Sequence, residues 1–235
     1  MALMNIIPDK NLFIVTSALI PTIGVFDYQT RLNQTIETVK TIKQKDPNAL
    51  IVITDASIQP VPEKDLEFFH SYITGFVAWD KDDQIRSFST QGQKSIAESL
   101  LMMKTLIMLK RNPSVSKMLY SVKRIFKISG RYRLNEKFNI EEYNKDEYYG
   151  KYIFKKRMPS WCGRESLLIT RLWSMCPSLI DEYTETLPQI IQTIATQGID
   201  TEHAHFECLN KDHLIEFENV YVEGQVASTG EWHYD

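Results

Sequence analysis

Apolar and polar positions fall into alternating blocks along the first 134 residues. Asn11 to Ile20, NLFIVTSALI, is an almost unbroken apolar run, the pattern of a strand covered on both faces. Arg31 to Lys45 places Leu32, Ile36, Val39 and Ile42 at helical spacing, and this helix is expected to stop near Asp46-Pro47-Asn48. ALIVITDAS is a second buried strand. Behind Pro60 and Pro62 comes a short amphipathic segment, Lys64 to His70, and GFVAW reads as a third strand ending at Asp80. A polar loop follows, then a long helix over Gln93 to Arg111 and a shorter one restarted by Pro113. RIFKIS is the fourth strand. Alternation of this kind predicts an α/β fold, a mostly parallel central sheet with helices on both faces.

The remaining hundred or so residues are less regular. Lys137 to Trp161, rich in Tyr, Lys and Glu, reads as an excursion or hairpin, and RESLLITRLW as a strand returning to the sheet. Ser178 to Gln197 has a helical pattern that Pro188 should kink or divide. Asp200 to Leu209 is a short helix and EFENVYVEG a final strand. No repeat, low-complexity tract or linker interrupts the chain. The simplest organisation is one domain over residues 1–235, with halves at 1–134 and 135–235.

Composition narrows the class. With 43% hydrophobic and 24% charged residues in 235, the chain has the make-up of an ordinary globular protein. A formal net charge of −3 supplies no overall basic field, which weighs against a nucleic-acid partner; only a groove around Lys155, Lys156 and Arg157 would revive one. No apolar run approaches the roughly 18 residues of a membrane span. The apolar start follows Pro8-Asp9-Lys10 and reads as a strand, not a signal peptide. Cys162, Cys176 and Cys208 are odd in number and widely spaced, which suggests reduced thiols and a cytoplasmic setting.

Candidate chemistry gathers at the strand ends. In open α/β sheets the ligand lies beyond the carboxyl ends of the strands, and all four ends here are polar: Thr16-Ser17, Asp55 to Ser57, Asp80, and Ser129-Gly130-Arg131. Gly130 permits close approach, and Arg131 can grip a phosphate through two parallel hydrogen bonds; a turn followed by a surface charge explains the same residues. Arg31 opens the first helix near these tips. Asp55 can accept from a ribose or base, or close an Asx turn. Lys94 and Glu98 lie one helical turn apart, as a surface pair or with Lys94 turned toward a phosphate. Asp80-Lys81-Asp82 has the D-x-D form that holds a divalent ion, Mn or Mg, on a diphosphate, although dense charge runs are usually solvated turns. Glu202-His203-Ala204-His205 is the densest acid/base cluster; Glu202 suits a general base, while the two histidines share no helix face. His233 can reach a phosphate or sit exposed. YYGKYIFKKR offers aromatic rings for an acceptor sugar, or simple hairpin alternation.

Taken together, the Thr-Ser strand end, RLNQTIETVKTI, IVITDAS, QKSIAE and FKISGRY resemble the small bacterial and viral GT-A-type glycosyltransferases, especially those linked to surface-polysaccharide assembly. The likeness covers roughly Asn11 to Leu134, with a weaker echo at GIDTEHAHFE; order and spacing carry it, not any single motif. It implies a nucleotide-diphosphate sugar as donor and transfer to a hydroxyl, on a glycan or, in a variant of the fold, on a modified DNA base. It places the nucleoside near Thr16, Ser17, Arg31 and Asp55, the diphosphate near Lys94 and Arg131, and makes Glu202 the base of an inverting displacement. One departure stands out: GT-A enzymes usually carry D-x-D after the fourth strand, where this chain has Ser129-Gly130-Arg131. Arg131 can supply there the positive charge that a metal supplies elsewhere. A non-catalytic α/β module binding a sugar or a protein is the competing expectation.

Overall fold

The structure is a computed structural model that describes residues 10–235. Four strands and five helices alternate as the hydrophobic pattern requires: β1 (Leu12–Ser17), α1 (Tyr28–Lys45), β2 (Leu50–Asp55), α2 (Glu63–His70), β3 (Gly75–Ala78), α3 (Asp83–Thr90), α4 (Lys94–Arg111), α5 (Pro113–Leu119) and β4 (Ile125–Ser129). The strands β1 to β4 lie parallel, β1 pairing with both β2 and β4 and β2 with β3. Every residue of β1 and β4 is buried, as their largely apolar runs demand, Lys127 of β4 included. Asp27 starts α1 by accepting the backbone N–H of Thr30, and Lys43 and Lys45 complement its last turn.

The one element the pattern concealed in this half is α3. DKDDQIRSFST reads as a polar loop, yet Asp82 caps a helix there, its carboxylate accepting the N–H of Ile85 at 3.0 Å. A single apolar residue, Ile85, is fully buried, so the segment carries almost no hydrophobic period.

β5 (Tyr132–Leu134) closes the first half, and the second adds α6 (Ile140–Tyr143), β6 (Tyr152–Lys155), β7 (Met158–Pro159), β8 (Ser166–Leu167), β9 (Leu172–Met175), α7 (Ile180–Gln197), α8 (Thr201–Cys208), β10 (Leu214–Phe217), β11 (Val222–Gln225) and β12 (Trp232–Tyr234). RESLLITRLW is thus two strands, not one: β8 pairs with β7, and β9 runs antiparallel to β4 in the main sheet. The expected final strand is likewise divided. β10 joins the main sheet beside β6, while β11 pairs with β5 and β12. The seven-stranded sheet has the order β10-β6-β9-β4-β1-β2-β3, so both halves of the chain contribute to it.

Pro188 does not divide α7, which runs through it from Ile180 to Gln197. The proline lies on the exposed face, between the buried Leu187 and Ile190, where water can take the carbonyl that loses its amide partner. The sheet is covered on both sides. One core gathers Leu12, Ile14, Leu101 and Leu106 with Trp173, Tyr183 and Leu187. The other packs Phe13, Val15, Phe126 and Ile128 against Leu32, Val39 and Ile42 of α1. Among the described residues no helix is long and apolar enough to cross a membrane.

Candidate functional site

The parallel strands end level with one another: Ser17 opposes Asp55, and Thr16 opposes both Thr54 and Ser129. Beyond these ends lies a cleft with about 830 Å³ of empty space, its open mouth included. Thr16, Ser17 and Ser129 line it together with Arg31 from α1, Lys94 and Glu98 from α4, and Arg131. Pro21, Ile23 and Phe26, from the segment after β1, and Ala227, between β11 and β12, supply apolar surface. Those two segments are joined by a backbone hydrogen bond from Val25 to Ala227, 3.1 Å. Gly24 makes the approach possible: its φ is +110°, and a Cβ there would stand 2.8 Å from the Ala227 carbonyl oxygen.

Three cations from three elements therefore share one cleft. Arg31 is only 6% exposed and donates to neutral acceptors, the Ala18 carbonyl at 3.3 Å and Gln34 Oε1 at 2.9 Å. Among the described residues none of Arg31, Lys94 and Arg131 has a carboxylate within ion-pair distance. Arg131 acts on the other two instead. Burial pulls Arg31 down to about 9, with Arg131 adding to the effect and Asp55 opposing it. Burial also lowers Lys94, and Arg131 and Arg31 push the same way. An anion placed among them would relieve this repulsion.

Gly130 does not line the cleft; it lets β4 turn out against α1. A Cβ on it would stand 2.9 Å from Thr35 Oγ1, in a spot where Thr35 donates to the Gly130 carbonyl at 3.1 Å and the Gly130 N–H donates to Thr16 at 2.8 Å. The glycine is thus a requirement of packing, and the arginine after it is delivered into the cleft.

Asp55 is also elsewhere. It is 1% exposed and absent from the cleft lining, and its two oxygens accept the N–H groups of Leu19, at 2.8 Å, and Ser57, at 3.0 Å. Burial raises its carboxyl, and the hydrogen bonds from Ser57 and Leu19 oppose that. It ties the segment after β1 to the end of β2, the Asx-turn alternative extended to a second loop. His233 lies outside the cleft lining too. Its Nε2 accepts from Arg171 Nη1 at 2.8 Å, and burial, helped by Arg171 and Lys155, pushes it down to about 4. A neutral ring already accepting from a guanidinium has no proton there for a phosphate.

The D-x-D reading of Asp80-Lys81-Asp82 does not fit this structure. Asp82 caps α3 and is ion-paired with Lys104 at 2.6 Å, so both of its oxygens are committed. Among the described residues no group of three His, Cys, Asp or Glu side chains is placed to hold a metal ion. The basic groove fares similarly. Lys155 pairs with Asp235, Lys156 with Glu218 and Arg157 with Glu216, so its three charges are met within the chain.

Glu98 was open to misreading as the surface mate of Lys94. It pairs instead with Lys127 of β4, whose side chain is 3% exposed and which also donates to the Thr170 carbonyl at 2.8 Å. Lys127 and the charge of Arg131 hold the Glu98 carboxyl below its usual range despite burial. A lysine inside the apolar strand IFKIS was the signal: a buried ammonium needs a carboxylate, and Glu98 supplies it. The same network runs on to Glu202. Thr170 Oγ1 donates to Glu202 Oε1 at 2.7 Å, and burial raises Glu202, with Glu98 and Asp200 adding to the effect. Glu202 is half-buried and stands behind Glu98 and Thr170, not in the lining of the cleft itself. His205 is not a metal ligand: its Nδ1 meets the Thr201 carbonyl at 2.7 Å and its Nε2 the Tyr183 hydroxyl at 3.0 Å.

No protein-family model matches the chain, and no curated protein matches it in sequence. Solved structures do match in three dimensions. The mannosyltransferase Ktr4p from S. cerevisiae superposes with a TM-score of 0.51 at 8% identity, over 89% of this chain and 68% of that one. The galactosyltransferase LgtC, solved in complex with donor and acceptor sugar analogs, gives 0.51 at 8% identity, over 88% and 72%. The fold is that of the GT-A glycosyltransferases. Mouse xyloside xylosyltransferase 1, in its apo form, gives 0.49 at 10% identity, over 89% of this chain and 85% of that one. Seven strands in a mostly parallel sheet, with β9 reversed, thus agree with the expected architecture.

Proposed function

We propose that this chain is a glycosyltransferase of one domain that takes a nucleotide-diphosphate sugar in the cleft and moves its sugar to a hydroxyl of a glycan, in surface-polysaccharide assembly. The observation that carries this is the convergence of Arg31, Lys94 and Arg131, without ion-pair partners among the described residues, beyond the carboxyl ends of β1 and β4. Fold analogy supports it, LgtC having been solved with a donor and an acceptor analog. The apolar surface of Ile23, Phe26 and Ala227 suits a nucleobase, and the cations suit the diphosphate.

As the bond from the anomeric carbon to the diphosphate breaks, negative charge grows on the departing oxygen. Fixed cations aimed at that charge lower the barrier. Arg131 and Lys94 fill that role, and no step is assigned to a metal, because Asp82 is already spent on Ile85 and Lys104. Glu202, raised by burial and bonded to Thr170 outside the cleft lining, is the base in this proposal: the acceptor hydroxyl reaches it past Glu98 and gives it a proton in a single inverting displacement. Residues 1–134 then form the donor half and 135–235 the acceptor half.

Calorimetric titration with UDP, GDP, CDP and dTDP, with and without manganese, tests the proposal. One nucleotide should bind without needing manganese and be lost in Arg131→Ala. Glu202→Gln should keep that binding and lose about 10²- to 10⁴-fold in transfer. Binding of no nucleotide would end the proposal. Binding that depends on manganese would remove Arg131 from the central role.

A further inference from the structure

Helix α4 delivers two charges of opposite sign into the cleft. Lys94 and Glu98 both line it, one turn and about 6 Å apart along the helix axis. Among the described residues Glu98 is the one carboxylate in a lining whose other charges are Arg31, Lys94 and Arg131. An anion beside a phosphate site opposes the phosphate. Its presence there calls for a use of its own.

Service as counter-charge to Lys127 is half of that use. Lys127 donates to Glu98 Oε1, and a buried ammonium needs such a partner. A carboxylate kept for that pair alone would be sealed in with the lysine, whose side chain is 3% exposed. The side chain of Glu98 is 33% exposed. Among the described residues nothing donates to its Oε2, and that atom is open to solvent, on the cleft that Glu98 lines. Against the cost of burial, Lys127 and Arg131 keep the carboxyl below its usual range, so it is ionised and can only accept. What meets Oε2 must therefore bring a hydrogen. A diphosphate held by Lys94 and Arg131 carries its sugar as the next group, and Glu98 stands one turn further along α4. Thr170 ties this corner to the base: its carbonyl accepts from Lys127 at 2.8 Å, and its hydroxyl donates to Glu202 at 2.7 Å.

We infer that Glu98 is a specificity-determining residue for the donor sugar: its Oε2 accepts a hydrogen bond from a hydroxyl of the transferred ring while Oε1 holds Lys127. The assignment rests on the donor reading of the cleft. It selects sugars that present a free hydroxyl at that point, since an analogue lacking it leaves the carboxylate unpaired.

The test is calorimetric, on the intact chain without acceptor. UDP, GDP, CDP and dTDP are compared with UDP-glucose, UDP-galactose, UDP-N-acetylglucosamine, GDP-mannose, CDP-glucose and dTDP-glucose. For the tightest ester, affinity relative to its own free diphosphate should fall about tenfold in Glu98→Gln. The free diphosphate should bind as well or tighter, because a negative charge beside it is gone. A purely structural Glu98 would move both ligands together. Glu98→Asp keeps the counter-charge for Lys127 but is too short to meet the sugar as well. It should show the same fall in the ratio, and it decides the matter where Glu98→Gln does not fold by circular dichroism. Folded variants that bind the free diphosphate with an unchanged ratio of the two affinities would overturn this assignment and leave the donor reading in place. Binding of no diphosphate by the wild type would end the donor reading and this assignment with it.

Discussion

Two clusters of three cations can be read along this chain, and they have opposite fates. Lys155, Lys156 and Arg157 are adjacent in sequence, yet each meets a carboxylate of its own: Asp235, Glu218 and Glu216. Arg31, Lys94 and Arg131 are spread over 101 residues of sequence, and they share a cleft with no ion-pair partner among the described residues. Density of positive charge in a sequence therefore says little about a site. What distinguishes the second cluster is that, among the described residues, none of its members is ion-paired, and that is a property of the fold. A cation left without a partner beside others of its kind stores repulsion that only an anion from outside can release.

The contrast between met and unmet charge can be pushed hardest at Lys127, the most buried paired cation of the site. Glu98→Gln would leave its ammonium without a carboxylate and should destabilise the protein by about 3 kcal/mol, read as a lower midpoint in urea. An unchanged midpoint would mean that water reaches Lys127 and that the pair is dispensable. Next comes the unpaired cluster itself. Arg131→Ala should weaken binding of the favoured nucleoside diphosphate by about 10- to 100-fold in calorimetry, while chain stability stays the same. A loss of stability with no loss of binding would reverse the assignment.

A third test uses pH. Burial pushes His205 down to about 4, so the folded chain keeps it neutral while the unfolded chain begins to protonate it near 6.5. Stability from this group is complete above about 6.5 and falls as pH drops toward 4, where the protonated ring no longer fits between Tyr183 and Thr201. His205→Asn should flatten that part of the pH–stability curve; an unchanged slope would assign the loss to other groups. The smallest effect belongs to the strip of paired surface charges. Lys156→Ala should leave both the urea midpoint and nucleotide binding unchanged, because water screens this exposed pair. A clear loss of binding there would put the anion site on the wrong side of the molecule.

Residue pattern alone went far in the first half. β1 and β2 are apolar runs, and β4 nearly so but for Lys127, that suit a doubly covered parallel sheet, and α1 and α4 carry their own periodicity and stops. Arg31, Lys94 and Arg131 were legible as candidates because each stands just beyond a strand or at a helix start. The pattern failed where a residue's partner is distant. α3 hangs on Asp82 as cap and on one buried Ile85, too little apolar signal to see. β8 and β9 share one apolar stretch because they belong to different sheets. Asp55 was read outward from a strand end and turned inward, since two backbone N–H groups of neighbouring loops claim it.

Sequence by itself determined the layering of this protein, because burial of apolar side chains obeys local period: unbroken runs become covered strands, and 3.6-residue spacing becomes helices on their faces. The role of the glycine before Arg131 was left to the fold: only the packing of β4 on α1 puts Thr35 2.9 Å from where a Cβ would stand. Tertiary structure alone decided which charges are answered. Glu98 lies four residues from Lys94 and 29 from Lys127, yet it is Lys127 that it binds. Coulombic energy depends on distance and surrounding water, not on separation along the chain, and both are set only when the strands and helices close around them.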